Sequence, residues 1–89
     1  MAFFVLEYRY ADADARTRTR GEHLAYLGAL AQEGRVVLAG PIREGEGAMV
    51  VMDVEDLAAA ERIVAEDPYT AAGVGADHVL RPWDVVVTR

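Results

Sequence analysis

The chain has 89 residues, 53% hydrophobic and 27% charged, with 9 basic against 15 acidic side chains and a net charge of −6. That length bounds it to a single domain over residues 1–89, and the mix is that of a packed globular chain rather than a disordered one. The acidic balance offers no basic footprint for nucleic acid or an anionic membrane, and no apolar run approaches the ~20 residues of a membrane span.

Phe3 to Tyr10 is rich in aromatic and branched residues and reads as a strand, with Phe4, Leu6, Tyr8 and Tyr10 on one face. The first ten residues carry no basic leader of a secretion signal, so a cytoplasmic location is expected. Ala11 to Arg18 alternates small, acidic and basic residues and reads as a solvated loop or short helical turn. Thr19-Arg20-Gly21-Glu22 matches a capping box, which predicts a helix through Gln32, closed by Gly34. Helical periodicity places His23 on one apolar stripe with Leu24, Leu27 and Leu30, and Arg20 one turn earlier on the same face.

Arg35 to Ala39 reads as a second strand closed by Gly40-Pro41, and Ala48 to Met52 as a third, joined by a polar turn into a hairpin. Leu57 to Glu66 favours helix, and Asp67-Pro68 stops it because a residue before proline is pushed out of the α region. Pro68 to Gly75 is a connector, and Asp77 to Val87 reads as one long last strand with Pro82 at a bulge or on an edge. The order β-α-β-β-α-β is the ferredoxin-like α+β arrangement, a four-stranded antiparallel sheet with both helices on one face. Phe, Val, Met and Trp on both sides of the strands imply that the other sheet face buries against a second copy, so a homodimer is expected, able to assemble further.

The chain contains no Cys, Ser or Lys. That removes thiolate and serine nucleophiles, Schiff-base lysines and phosphate-loop lysines together. Two histidines without cysteine are a poor basis for a metal site, so none is expected, and no nucleotide or haem fingerprint implies a cofactor. An enzyme built from what remains moves protons.

Arg20-Gly21-Glu22-His23-Leu24-Ala25-Tyr26-Leu27, Glu33-Gly34-Arg35 and Ala39-Gly40-Pro41, then Asp67-Pro68-Tyr69, Ala72-Gly73-Val74 and Arg81-Pro82-Trp83, follow in an order that resembles the YciI-like (YCII-related) family. The resemblance implies a dimeric α+β barrel, whose wider superfamily includes muconolactone isomerases and small cofactor-free monooxygenases. It also implies an acid/base pair, a histidine on the first helix and an aspartate after the second, falling here on His23 and Asp67. One branch of the family resembles dehydrochlorinases of chlorinated hydroxyquinols. The connection between the second and third strands is shorter here than in relatives with a glycine-rich insertion, which bears on the cover of any pocket.

Among single residues, His23 is the sharpest candidate. In the first helical turn, where the capping box puts it, the helix dipole opposes imidazolium and leaves a neutral base. The alternative is a core histidine bonded to a backbone carbonyl. Asp67 is expected at the inner edge of the second helix's C-terminal end, either orienting His23 or capping the turn at Pro68-Tyr69-Thr70. Arg20 is a candidate for an anionic group of a small-molecule ligand or for pairing with a neighbouring acid. Tyr8, Gly40, Pro41 and Tyr69 complete the candidate ligand contacts, and His78 is assigned a structural or interface role. The reading is thus a cofactor-free isomerase or lyase using a His–Asp pair, against a non-catalytic dimeric binding or accessory module.

Overall fold

A computed structural model describes residues 2–89. Alternation in β1 (Ala2–Tyr10) buries Phe4, Leu6 and Tyr8 and leaves Glu7 and Arg9 exposed, as a strand covered on one side requires. Four antiparallel strands follow the order β2-β3-β1-β4, with β2 at Val36–Ile42, β3 at Gly47–Val54 and β4 at Gly75–Pro82. The pairs Phe4–Met52, Leu6–Val50 and Tyr8–Ala48 point one face of the sheet toward the helices. That face closes a single core with Leu27 and Leu30 of α1 (Ala13–Gln32) and with Ala59, Ala60 and Ile63 of α2 (Leu57–Glu66). The expected ferredoxin-like α+β fold is therefore present. No helix among the described residues is long and apolar enough to cross a membrane.

Three local expectations are corrected. The first helix starts at Ala13, not after Thr19, so the Ala11–Arg18 stretch is mostly helical. Asp12 is the cap: its side chain accepts the Ala15 amide at 3.0 Å, and an alanine-rich run with Asp14 in the first turn carries the helix on from there. The Thr19-x-x-Glu22 pattern lies inside the helix and caps nothing. The last strand ends at Pro82 instead of Val87, because β1 supplies no further partner: Phe4 pairs Pro82, and the Trp83 amide makes one more bond to the Phe3 carbonyl. The bulge falls at Asp77 and His78, two residues opposite Tyr8 alone, with Asp77 at φ 56°, while Pro82 sits on the edge strand as expected. Gly40 and Pro41 lie within β2 rather than after it. That strand is also an edge, where a missing amide is tolerated.

The buried stripe of α2 is Ala59, Ala60 and Ile63, and Leu57 at its start is exposed. Between the helices the Tyr26 hydroxyl donates to the Ile63 carbonyl at 2.7 Å, taking up an acceptor in the last turn of α2. Burial, reinforced by Glu66 and Asp67, pushes this phenol up to about 12 from its ordinary 10.0. A pKa raised on folding contributes stability that is whole below pH 10 and is lost as pH climbs through about 12. Tyr26→Phe should therefore destabilise the protein by about 1 kcal/mol at neutral pH. It should also make the alkaline decline shallower, both read by denaturant titration across pH.

Candidate functional site

Asp67 is the hinge of the site. As the residue before Pro68 it is held at φ −65°, ψ 130°, which ends α2 and opens the one-turn helix α3 (Pro68–Ala71) with proline in its first turn. Its Oδ1 accepts the Tyr69 amide at 2.9 Å and meets His23 Nδ1 at 2.8 Å. The capping role and the contact with His23 therefore coexist. The Asp67 carboxylate was expected to face the carbonyl end of α2. It turns instead to the amide of α3, a donor that suits a negative charge.

His23 and Asp67 are 7% and 9% exposed, both below the level that leaves a charge well solvated. Because α1 starts at Asp12's cap, His23 sits in the middle of the helix, and the first-turn dipole argument does not apply to it. Its electrostatic partner is the carboxylate. The ring is further fixed by Tyr69, whose ring lies parallel to it (2°) at a centroid distance of 3.6 Å. With Nδ1 engaged by Asp67, Nε2 is the nitrogen left for a ligand.

His23 lines a hollow between α1 and the sheet, together with Tyr8, Arg20, Gly40, Pro41 and Tyr69. All the candidate ligand contacts thus converge on one place. The hollow is partly open to solvent and has a cavity volume of about 50 Å³. That is below the ~300–1,000 Å³ of usual ligand pockets. The β2–β3 connection is four residues, Arg43–Glu46, the first three at positive φ, so no long insertion is present there.

Arg20 is exposed and makes no ion pair among the described residues; the pairs there are Arg9–Asp77 and His23–Asp67. Tyr8 is buried, and its hydroxyl has no hydrogen-bond partner. Burial pushes its phenol well above its ordinary range, helped by the neighbouring Tyr10, Asp67 and Tyr69. Its ring is held by His78, stacked at 5.1 Å, and by Tyr10 edge-on at 5.9 Å. A Cβ at Gly75 would come within 2.7 Å of Tyr8 Cδ2, so glycine is required there. His78 accordingly acts as a support for Tyr8 and does not line the hollow.

Sequence reasoning missed Tyr10 and Arg16. The Arg16 guanidinium lies 4.1 Å over the Tyr10 ring, and its Nε is buried without a partner. The spacing 16, 20, 23 is a helical face legible in the sequence, hidden once residues 11–18 are read as a loop. Among the described residues no three His, Asp or Glu side chains converge, so no metal cage is assembled.

The YCII-related domain matches residues 1–84. The chain belongs to the YCII-related family. A protein of Haemophilus influenzae is 35% identical over 83 residues, covering 82% of this chain and 85% of its own. Protein YciI of Escherichia coli is 32% identical over 97 aligned positions, covering 97% of this chain and 99% of its own. The fold is shared with the 5-chloro-2-hydroxyhydroquinone dehydrochlorinase of Burkholderia phenoliruptrix, solved with 2,5-dihydroxybenzoquinone, at a TM-score of 0.78, 22% identity and coverage of 92% and 93%. A cofactor-independent oxygenase of Streptomyces nogalater shares it more loosely, at 0.51, 18% identity and coverage of 98% and 94%.

An unpartnered buried hydroxyl is a burden on the folded state. Tyr8→Phe removes that atom without disturbing a bond, so its melting temperature should equal or exceed that of the parent. A drop of several degrees in a thermal melt would mean that the hydroxyl has a partner the geometry does not reveal.

Proposed function

We propose that this YCII-related protein is a small-molecule enzyme in which His23 and Asp67 transfer protons, in an isomerisation or in loss of HX beside an enolisable carbonyl or a phenol. The observation that carries this reading is the 2.8 Å contact between two buried side chains 44 positions apart, one of which, His23, lines a hollow open to solvent. Asp67 accepts from Nδ1–H and so fixes the tautomer whose lone pair is on Nε2. Nε2 takes a proton from carbon or hydroxyl, and the electron pair released is carried on the substrate oxygen. In an isomerisation His23 returns that proton to a second carbon. In an elimination the halide leaves with the electron pair, and the proton passes from His23 to water. The step draws only on these side chains.

Arg20, Tyr8, Gly40, Pro41 and Tyr69 are proposed as the ligand contacts. The fold shared with a dehydrochlorinase bound to 2,5-dihydroxybenzoquinone supports a flat oxygenated guest. The hollow's 50 Å³ is well under the roughly 150 Å³ cavity that accommodates benzene, so a ring enters by one edge and the rest stays at the mouth. That narrowness also favours a second reading, a binding module that holds a ligand without turning it over.

Exchange of carbon-bound hydrogen separates the two. In deuterated buffer, NMR of chlorinated phenols, lactones and short keto acids should show protein-dependent exchange or elimination with at least one of them. His23→Gln should slow it by ~10²-fold or more. Asp67→Asn should leave the fold near intact but mix the His23 tautomers, visible in imidazole nitrogen–proton correlations. Binding without exchange, equal in parent and His23→Gln protein, would leave the module reading.

A homodimer is proposed on the outer sheet face. Phe3, Val5, Met49 and Val51 lie there by register, with Leu38 and Val79 at 63% and 45% exposure. A contiguous apolar patch on a sheet face marks an interaction surface in a soluble chain. Light scattering at micromolar concentration should give twice the 9.7 kDa chain mass, and Leu38→Glu should lower it toward one chain.

A further inference from the structure

The charge around the hollow is opposite to that of the chain. Fifteen acids against nine arginines give a net charge of −6, yet no Asp or Glu lines the hollow, and Arg20 does. Arg16 stands one helical turn before Arg20, with its guanidinium on Tyr10, another wall residue. Both arginines act on Tyr69: they pull its phenol down against the burial that raises it overall. The Asp67 carboxylate lies behind His23 and is already taken up by His23 Nδ1 and the Tyr69 amide. The remaining wall is apolar, from Leu24, Leu27, Ala48 and Val50 among others.

An unpaired guanidinium at the mouth of an apolar hollow is a bidentate receptor for a planar oxyanion. At about 50 Å³ the half-open hollow is smaller than a whole ring needs, so a ligand leaves one end at the mouth. We propose that the hollow takes small organic anions, carboxylates or phenolates, with the charged end held by Arg20, Arg16 reinforcing it, and the uncharged end against Nε2 of His23. The proposal rests on the hollow being the small-molecule site. It does not rest on catalysis.

The test uses the full chain and three probes, benzoate, 4-nitrophenolate and the neutral isostere benzamide, titrated by NMR at low and high salt. At least one anion should bind about tenfold or more tightly than benzamide, as a charge-assisted hydrogen bond supplies. Salt should weaken the anions and leave benzamide unchanged. Preference for benzoate alone assigns a carboxylate site, and preference for nitrophenolate alone a phenolate site. Arg20→Gln, an exposed helical position, should keep the melting temperature and lose most of the preference; Arg16→Gln should lose a smaller part. Benzamide binding as tightly as both anions, no binding of any probe to the parent, or a preference unchanged in Arg20→Gln would each overturn the proposal. The exchange assay keeps the two readings apart. Anion preference without His23-dependent exchange would remove the acid–base reading alone. Exchange on neutral compounds as fast as on anions, with no anion preference, would remove this one alone.

Discussion

The site hangs on one carboxylate oxygen that answers two donors. Asp67 Oδ1 takes an amide from the turn that follows it and meets a ring nitrogen from a helix 44 positions earlier. Both partners are in surroundings where an unsatisfied polar group costs about 1–3 kcal/mol, so loss of the carboxylate would leave two groups unpaired at once. The proline after Asp67 makes this geometry cheap, because the backbone it forces on Asp67 is the one a helix cap needs. The same reversal lays the Tyr69 ring flat against His23. One dipeptide thus sets the hydrogen bond, the stack and one wall of the hollow.

The rest of the wall comes from the sheet, and there the constraint is closeness rather than charge. Tyr8 sits where β1 meets both β3 and β4, and each side gives way to it with a glycine. A Cβ at Gly47 would strike the Tyr8 carbonyl, and one at Gly75 would strike its ring. The bulge at Asp77 and His78 then swings an imidazole onto that ring. The ring is thus closely fitted on both sides, while its buried hydroxyl has no hydrogen-bond partner. The short β2–β3 turn leaves the opposite side open and so limits how much of a guest is enclosed.

How much of this the sequence revealed follows from the range of the interaction involved. Strand parity in β1 and the stop at Asp67-Pro68 were legible, because each depends on spacing within one element or on a proline's fixed geometry, whereas the pairing of His23 with Asp67, 44 positions apart, was implied by the family resemblance. The start of α1 was not. Two cap patterns, at Asp12 and at Thr19, compete in one stretch, and the helix takes the earlier because the alanines and arginines between them propagate it. The end of β4 was not legible either. Val85, Val86 and Val87 have the branched side chains of a strand, but a strand's length is set by its neighbour, and β1 begins at Ala2. The size of the hollow depends on how far two elements stand apart, a quantity no local pattern encodes.

The corrected helix start changes the physics of His23. At a helix N-terminus the dipole would bias the imidazole toward its neutral form, but that field fades within the first turn, and His23 lies well beyond it. Its orientation therefore rests on what touches it: a carboxylate at Nδ1 and a parallel phenol ring over its face. Those two contacts constrain different motions. The hydrogen bond fixes the direction of the ring in its plane, and the stack resists rotation out of it. An imidazole held both ways presents Nε2 along one line before any ligand arrives, so the ordering cost falls on folding rather than on binding. A core histidine bonded to a backbone carbonyl would need only the first constraint. The second comes from the turn that Asp67 and Pro68 open, which carries Tyr69 onto the ring face.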